Sequence, residues 1–172
     1  IPDTSPRADR PSVGVSCANL PDTLLESELF GAAAGGHSTA SRPVEGKVGA
    51  AHGGTLFFDE IAELTPAGQA KLLQLLQSRE YYPLGASRAR VADVRLVAAT
   101  NADLSDLVRR RLFRDDLFYR LKVFALRVPP LCERADDIPA LAQHIIARAC
   151  SPHRLPPLRL SSWAMLETQA AS

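Results

Sequence analysis

The 172-residue chain carries 20 Lys and Arg against 19 Asp and Glu, a formal net charge of +1, so no global basic field marks it for nucleic acid. Its 46% hydrophobic and 23% charged residues are ordinary for a soluble globular protein, and the length suits one α/β domain with the start of a second. Cys17, Cys132 and Cys150 form no CxxC pair, His37, His52, His144 and His153 form no HExxH-like cluster, and no apolar run approaches the roughly 20 residues that cross a bilayer; these patterns argue against a zinc site and a membrane span and for reduced thiols in the cytoplasm.

The N-terminal Ile1-Pro2-Asp3-Thr4-Ser5-Pro6-Arg7 is polar and proline-rich, unlike a secretion signal, and reads as a chain cut in mid-loop. Val13, Val15 and Cys17 alternate, which predicts a strand over 12–17. Pro21-Asp22 opens a short helix to about Phe30, with Leu24, Leu25, Leu29 and Phe30 on its apolar side. Residues 31–54 are rich in Gly, Ala and Ser and are expected to form a long exposed segment. The apolar, β-branched run 55–58, opened by Gly53-Gly54, suits a parallel strand covered on both faces. Thr65-Pro66 then starts a helix, a cap followed by proline at the first helical position, with Leu72, Leu73, Leu75 and Leu76 as its core stripe to about Ser78.

Tyr81, Tyr82 and Leu84 suggest a short strand before a turn at Gly85, and 94–99 a second buried strand ending on Thr100-Asn101. Two short helices are expected over 103–111 and 114–121, and another strand over 123–128, stopped by Pro129-Pro130. Asp136-Asp137 caps a helix to about Cys150, with Ile138, Leu141, Ile145 and Ile146 at helical spacing; 151–157 reads as a linker and Ser161 as the start of a last helix.

Strands alternating with helices predict a parallel α/β sheet, whose ligands sit beyond the C-terminal strand ends. Asp59, Glu60, Thr100 and Asn101 all fall there. An unpaired carboxylate is expensive to bury, so two in succession at a strand end call for a purpose. The arrangement is that of a Walker B element, in which the first carboxylate serves the Mg²⁺ of a nucleoside triphosphate and the second polarises the attacking water. Taken alone, the same run equally suits a strand end followed by an acidic helix cap. Asn101 alone equally suits a turn, and Arg114 and Arg120 on their helix equally suit surface pairing with Asp115 and Asp116.

The order of these blocks resembles the central AAA+ domain of bacterial enhancer-binding proteins, the activators of sigma-54 RNA polymerase. The matching residues are Glu26-Ser27-Glu28-Leu29-Phe30-Gly31, Gly53-Gly54-Thr55-Leu56-Phe57-Phe58-Asp59-Glu60-Ile61, Gln69-Ala70-Lys71-Leu72-Leu73, Ala98-Ala99-Thr100-Asn101, Phe113-Arg114-Asp115-Asp116-Leu117-Phe118-Tyr119-Arg120-Leu121, and Val128-Pro129-Pro130 with its following Asp136-Asp137-Ile138. The resemblance implies a P-loop-type three-layer parallel sheet over 1–130 and the start of a helical lid over 131–172. It implies ATP and Mg²⁺ as cofactors, with Asp59 holding Mg²⁺ through water, Glu60 activating water, and Thr100 and Asn101 as the sensor. Arg114 and Arg120 would reach a neighbour's phosphates in a homo-oligomeric ring, hexameric in this family. The partner implied is sigma-54 RNA polymerase, with DNA bound through a domain outside this sequence and no membrane involved.

Four departures from the family pattern stand out. The phosphate-binding GxxxxGK[ST] loop and the second sensor arginine are not in the chain, which is therefore expected to be a fragment with little ATPase activity by itself. Gly35-Gly36-His37-Ser38-Thr39-Ala40 occupies the place of the family's GAFTGA loop, so His37 replaces the aromatic that meets sigma-54. Ser16 stands where the family has an asparagine restraining the catalytic glutamate, and a serine has a shorter reach. Two functions follow: a sigma-54 activator core, or a ring-forming AAA+ regulator whose altered loop serves another partner. A standalone DNA-binding protein is a weaker third, since Arg109-Arg110-Arg111 suits a solvated helix C-terminus.

Overall fold

The chain divides into two compact units, Ile1–Phe124 and Ala125–Ser172, and the computed structural model describes residues 5–18, 22–33 and 43–150. In the first unit the elements run β1 (Ser12–Ser16), α1 (Asp22–Phe30), α2 (Lys47–Ala50), β2 (Thr55–Asp59), a 3-10 turn (Ile61–Glu63) and α3 (Pro66–Ser78). They continue with β3 (Glu80–Tyr81), β4 (Arg90–Val91), β5 (Arg95–Ala98), α4 (Leu104–Arg109) and α5 (Asp115–Leu121). The second unit holds a 3-10 stretch (Leu131–Asp137), kinked at Arg134, and α6 (Ile138–Cys150).

β1, β2 and β5 form an all-parallel sheet in that order, flanked by helices, the α/β class expected from the alternation. β2 lies in the middle, with Ser12–Ser16 in register with Thr55–Asp59, and Thr55 to Phe58 opposite Arg95 to Ala98. All three strands therefore end on one side, which is where the candidate site lies. Leu56 and Phe58 are fully buried and share a core with Val15, Leu29, Phe30, Ile61 and Leu72. Burying side chains of this size stabilises by about 1.5–3 kcal/mol each, the main term holding the sheet to its helices.

Local chemistry explains the helix ends. Thr65 accepts the Gly68 N–H at 3.2 Å with Pro66 at the first helical position, and Arg79 closes α3 in the left-handed region, φ 60°. Asp103 caps α4 by accepting the N–H groups of Ser105 and Asp106. The Thr65 cap is the one expected from the sequence.

Several expectations are corrected. The stretch 31–54 is not one exposed segment: Ala32 bridges both Val44 and Leu84, α2 forms, and Val48 and Ala51 are fully buried. Small residues allow that closeness, since a side chain at Gly46 would meet the main chain of Phe30 and Gly31. The strand at 94–99 is not buried: it shortens to Arg95–Ala98, with Arg95 and Ala98 exposed and Leu96 and Val97 half-buried. β2 itself leaves Phe57 37% exposed, so its second face is incompletely covered. Residues 123–128 form no strand: Val123 and Phe124 close the first unit and Leu126 and Val128 open the second, all well exposed. β-branched and aromatic residues make a strand only where an edge is offered for pairing. The short strand near Gly85 is β3, displaced to Glu80–Tyr81 and paired antiparallel with β4. On α1 and α6 the apolar stripes are partly solvated, at Leu24, Leu141 and Ile145. The linker and last helix expected after Cys150 lie outside the described residues.

Candidate functional site

Asp59 ends the central strand, directly opposite Ser16 of β1. The Cys17 N–H donates to Asp59 O at 3.0 Å, and the Ile61 N–H donates to Ala99 O at 3.0 Å. Those two bonds clamp the Asp59-Glu60 pair between the ends of β1 and β5. Glu60 itself is in the left-handed region, φ 54° and ψ 50°, a conformation that a non-glycine residue adopts only at a cost of roughly 1–3 kcal/mol. The strand's alternation leaves Asp59 exposed, as it does Phe57, and the turn leaves Glu60 half-buried. Among the described residues no Lys or Arg forms an ion pair with either carboxylate. Strain held at a carboxylate that no cation neutralises makes this turn a candidate for chemistry.

The acidic cluster is felt by its neighbour. Burial, then the charges of Asp59, Glu60 and Glu63, push the Cys17 thiol up to about 11. The register places Thr100 and Asn101 just past the end of β5, beside the Glu60 turn. The Thr100 hydroxyl accepts the Ala102 N–H at 3.0 Å and so shapes the turn into α4, while the exposed Asn101 follows it at the strand end.

Metal donors are sparse. No group of three His, Cys, Asp or Glu side chains among the described residues stands ready to hold an ion. One or two carboxylates with open space suit Mg²⁺, which keeps several waters and shares its coordination with phosphates. The donor set at 59–60 fits that ion.

Arg114 and Arg120 lie on a separate element, α5, which packs on α3. Arg114 occupies the N-cap position, and its guanidinium makes a bidentate pair with Asp116, Nε–Oδ1 3.0 Å and Nη2–Oδ2 2.7 Å. That pairing holds the Asp116 carboxyl below the usual carboxylate range and raises Arg114. Arg120 is exposed and donates to Leu76 O at 3.4 Å. Gly35, Gly36, His37, Ser38, Thr39 and Ala40 lie outside the described residues. Their stem is seen: Ala32 and Val44 exchange hydrogen bonds of 3.0 and 2.9 Å, so the chain leaves and returns at one place.

Two residues escaped the reading of the sequence. Cys17 was legible only as a strand residue. Gln69 is 1% exposed and bonds to Leu64, Leu112 and Arg114; its signal was a lone amide on the stripe that carries Leu72 and Leu73.

Comparison with known proteins bears on this geometry. Residues 1–127 match the model of the Sigma-54 interaction domain. The Nif-specific regulatory protein of Herbaspirillum seropedicae is 51% identical over 144 residues, 84% of this chain and 27% of that protein. The transcriptional regulatory protein GlrR of Escherichia coli is 44% identical over 172 residues, all of this chain and 39% of that protein. The crystal structure of NtrX from Brucella abortus in complex with ATP superposes with a TM-score of 0.87 at 31% identity, covering 98% of this chain and 36% of that one. The chain thus spans well under half the length of these relatives.

Proposed function

The chain belongs to the Sigma-54 interaction domain family, the central AAA+ domain of sigma-54-dependent transcriptional activators, and we propose that it is the ATP-hydrolysing core of such a bacterial regulator. The observation that carries this reading is the left-handed Glu60 at the C-terminal end of β2, beside an exposed Asp59 and clamped through Cys17 and Ile61. In this reading residues 1–130 belong to the ATPase core and 131–172 begin the helical lid.

Asp59 would hold Mg²⁺ through water, and that ion, bound with ATP, neutralises charge on the phosphates. Glu60 accepts the proton of the attacking water, and its turn fixes the carboxylate relative to Asp59. Asn101 orients that water from the end of β5, with Thr100 shaping the turn that presents it. Ser16, opposite Asp59, takes the place of the asparagine that restrains the glutamate elsewhere in the family. Arg114 and Arg120, exposed on α5, complete the site of the next subunit in a hexameric ring. Hydrolysis then drives remodelling of the sigma-54 RNA polymerase closed complex through the loop Gly35 to Ala40, with DNA held by another domain of a cytoplasmic protein. The substitution of that loop's aromatic by His37 supports a second reading, a ring of the same construction acting on a different partner.

Glu60→Gln in the full-length protein tests the central assignment. It keeps side-chain shape and leaves Asp59 in place, so ATP binding is retained while hydrolysis falls about 10²–10⁴-fold. Loss of nucleotide affinity together with turnover would refute the division of roles between Asp59 and Glu60.

A further inference from the structure

We propose that Gln69 is the positioning residue of Arg114, fixing the main chain of that arginine to the turn that carries Glu60. The inference rests on the trans role assigned to Arg114 above.

Among the fully buried described residues Gln69 is the one large polar side chain, 1% exposed, on a helix face otherwise given to Leu72, Leu73 and Leu75. A buried amide left unpaired costs about 1–3 kcal/mol per group, whereas an apolar side chain of the same length carries no such penalty. Both ends of this amide are used. Nε2 donates to Leu64 O at 2.8 Å and to Leu112 O at 3.2 Å, and Oε1 accepts the Arg114 N–H at 2.9 Å. The three partners come from two places. Leu64 ends the 3-10 turn that starts at Glu60, where the Glu63 N–H meets Glu60 O at 3.0 Å and the Leu64 N–H meets Ile61 O at 3.2 Å. Leu112 and Arg114 flank buried Phe113 at the entrance to α5.

One side chain therefore spans from the end of the carboxylate turn to the main chain of the arginine. The Arg114 side chain is held differently. Its partner Asp116 is 41% exposed and the arginine 46%, and a pair so open to water contributes little. The guanidinium is consequently free to exchange a carboxylate for a phosphate, while the point from which it swings is fixed. A finger needs both properties: a rigid origin and a loosely held tip. The Glu60 turn keeps an independent anchor in the Ile61–Ala99 bond, so loss of the amide disturbs Arg114 more than Glu60.

The test uses mixed rings of the full-length protein. Glu60→Gln subunits supply arginines but have dead sites, and Arg114→Ala subunits have live sites but no arginine; their mixture regains ATP hydrolysis. Gln69→Met, matched in length and without hydrogen-bonding atoms, is then placed in each partner in turn. In the Glu60→Gln subunit, where only the arginine is used, it lowers the regained activity on the order of 10²-fold, the effect of misplacing a reacting group by about 1 Å. In the Arg114→Ala subunit, where only the site is used, activity stays within about twofold. If Gln69→Met rings do not assemble, Gln69→Glu serves in the same two places, since it keeps an acceptor for the Arg114 N–H and loses at least one donor. Equal losses in both places, or none in either, would overturn the positioning role. Failure of the parent mixture to regain activity would instead overturn the trans role of Arg114, and this inference with it.

Discussion

Cys17 shows how the site's electrostatics act on one side chain. It follows β1 at the strand end, 3% exposed, with Asp59, Glu60 and Glu63 all contributing negative potential. Burial is the larger cause and the carboxylates add to it, so the thiol is pushed up to about 11 from an ordinary value of 9.0. The folded state keeps this proton between those two values while the unfolded chain releases it. Stability from Cys17 is thus fully present below pH 9.0 and is lost as pH rises toward about 11. At pH 8 alkylation is expected to modify exposed Cys132 first, with Cys17 slower by about 100-fold or more, since the thiolate is the reactive form. Peptide mapping of the alkylated protein checks this, and equal rates would contradict the buried thiol.

At the scale of elements, the loop stem depends on close approach. Gly31 is left-handed, φ 77°, and Gly46 packs so tightly that an added side chain would strike the main chain of Phe30 and Gly31. The same short stretch carries the Ala32–Val44 and Ala32–Leu84 bridges, which hold Ala32 and Val44 together against the Leu84 segment. Gly46→Ala must push these apart, because main chain has no rotamer through which to yield. The expected cost is about 1–3 kcal/mol, read as a lowered Tm or denaturant midpoint. An unchanged midpoint would mean that the stem relaxes freely. By contrast the Lys71–Glu26 pair that joins α3 to α1 is partly solvated, and its removal is expected to matter less.

At the scale of the whole molecule, the proposed function turns on what the altered loop binds. A docking tip gains most from an aromatic anchor, and His37 is smaller, more polar and titratable near neutral pH. In the full-length protein the triple change His37→Phe, Ser38→Thr and Thr39→Gly is expected to strengthen sigma-54 binding in the transition-state nucleotide complex, with a gain of about tenfold for one well-seated anchor. Pull-down or anisotropy with sigma-54 measures it. Strong binding by the unchanged protein, weakened by the triple change, would identify the loop as a variant matched to its partner.

The class of fold, the cap at Thr65, and the placing of Asp59, Glu60, Thr100 and Asn101 at strand ends were legible in the chain, because hydrophobic period, cap chemistry and strand-end carboxylates are local properties. Other features were decided only by the assembled fold. Whether Val123 and Phe124 become a strand depends on tertiary pairing, and although β5 keeps an open edge among the described residues they join no sheet and stay exposed. The burial of Val48 and Ala51 depends on how closely Gly46 can approach Gly31. The left-handed turn at Glu60 is imposed by bonds from Cys17 on one side and to Ala99 on the other. Gln69 reads in the sequence as one polar residue on a helix, and only the fold shows that its amide joins Leu64 to Arg114, the latter 45 residues along the chain from Gln69. Long-range hydrogen bonds are invisible to periodicity, since nothing in a residue's neighbours along the chain records what the fold will bring against it.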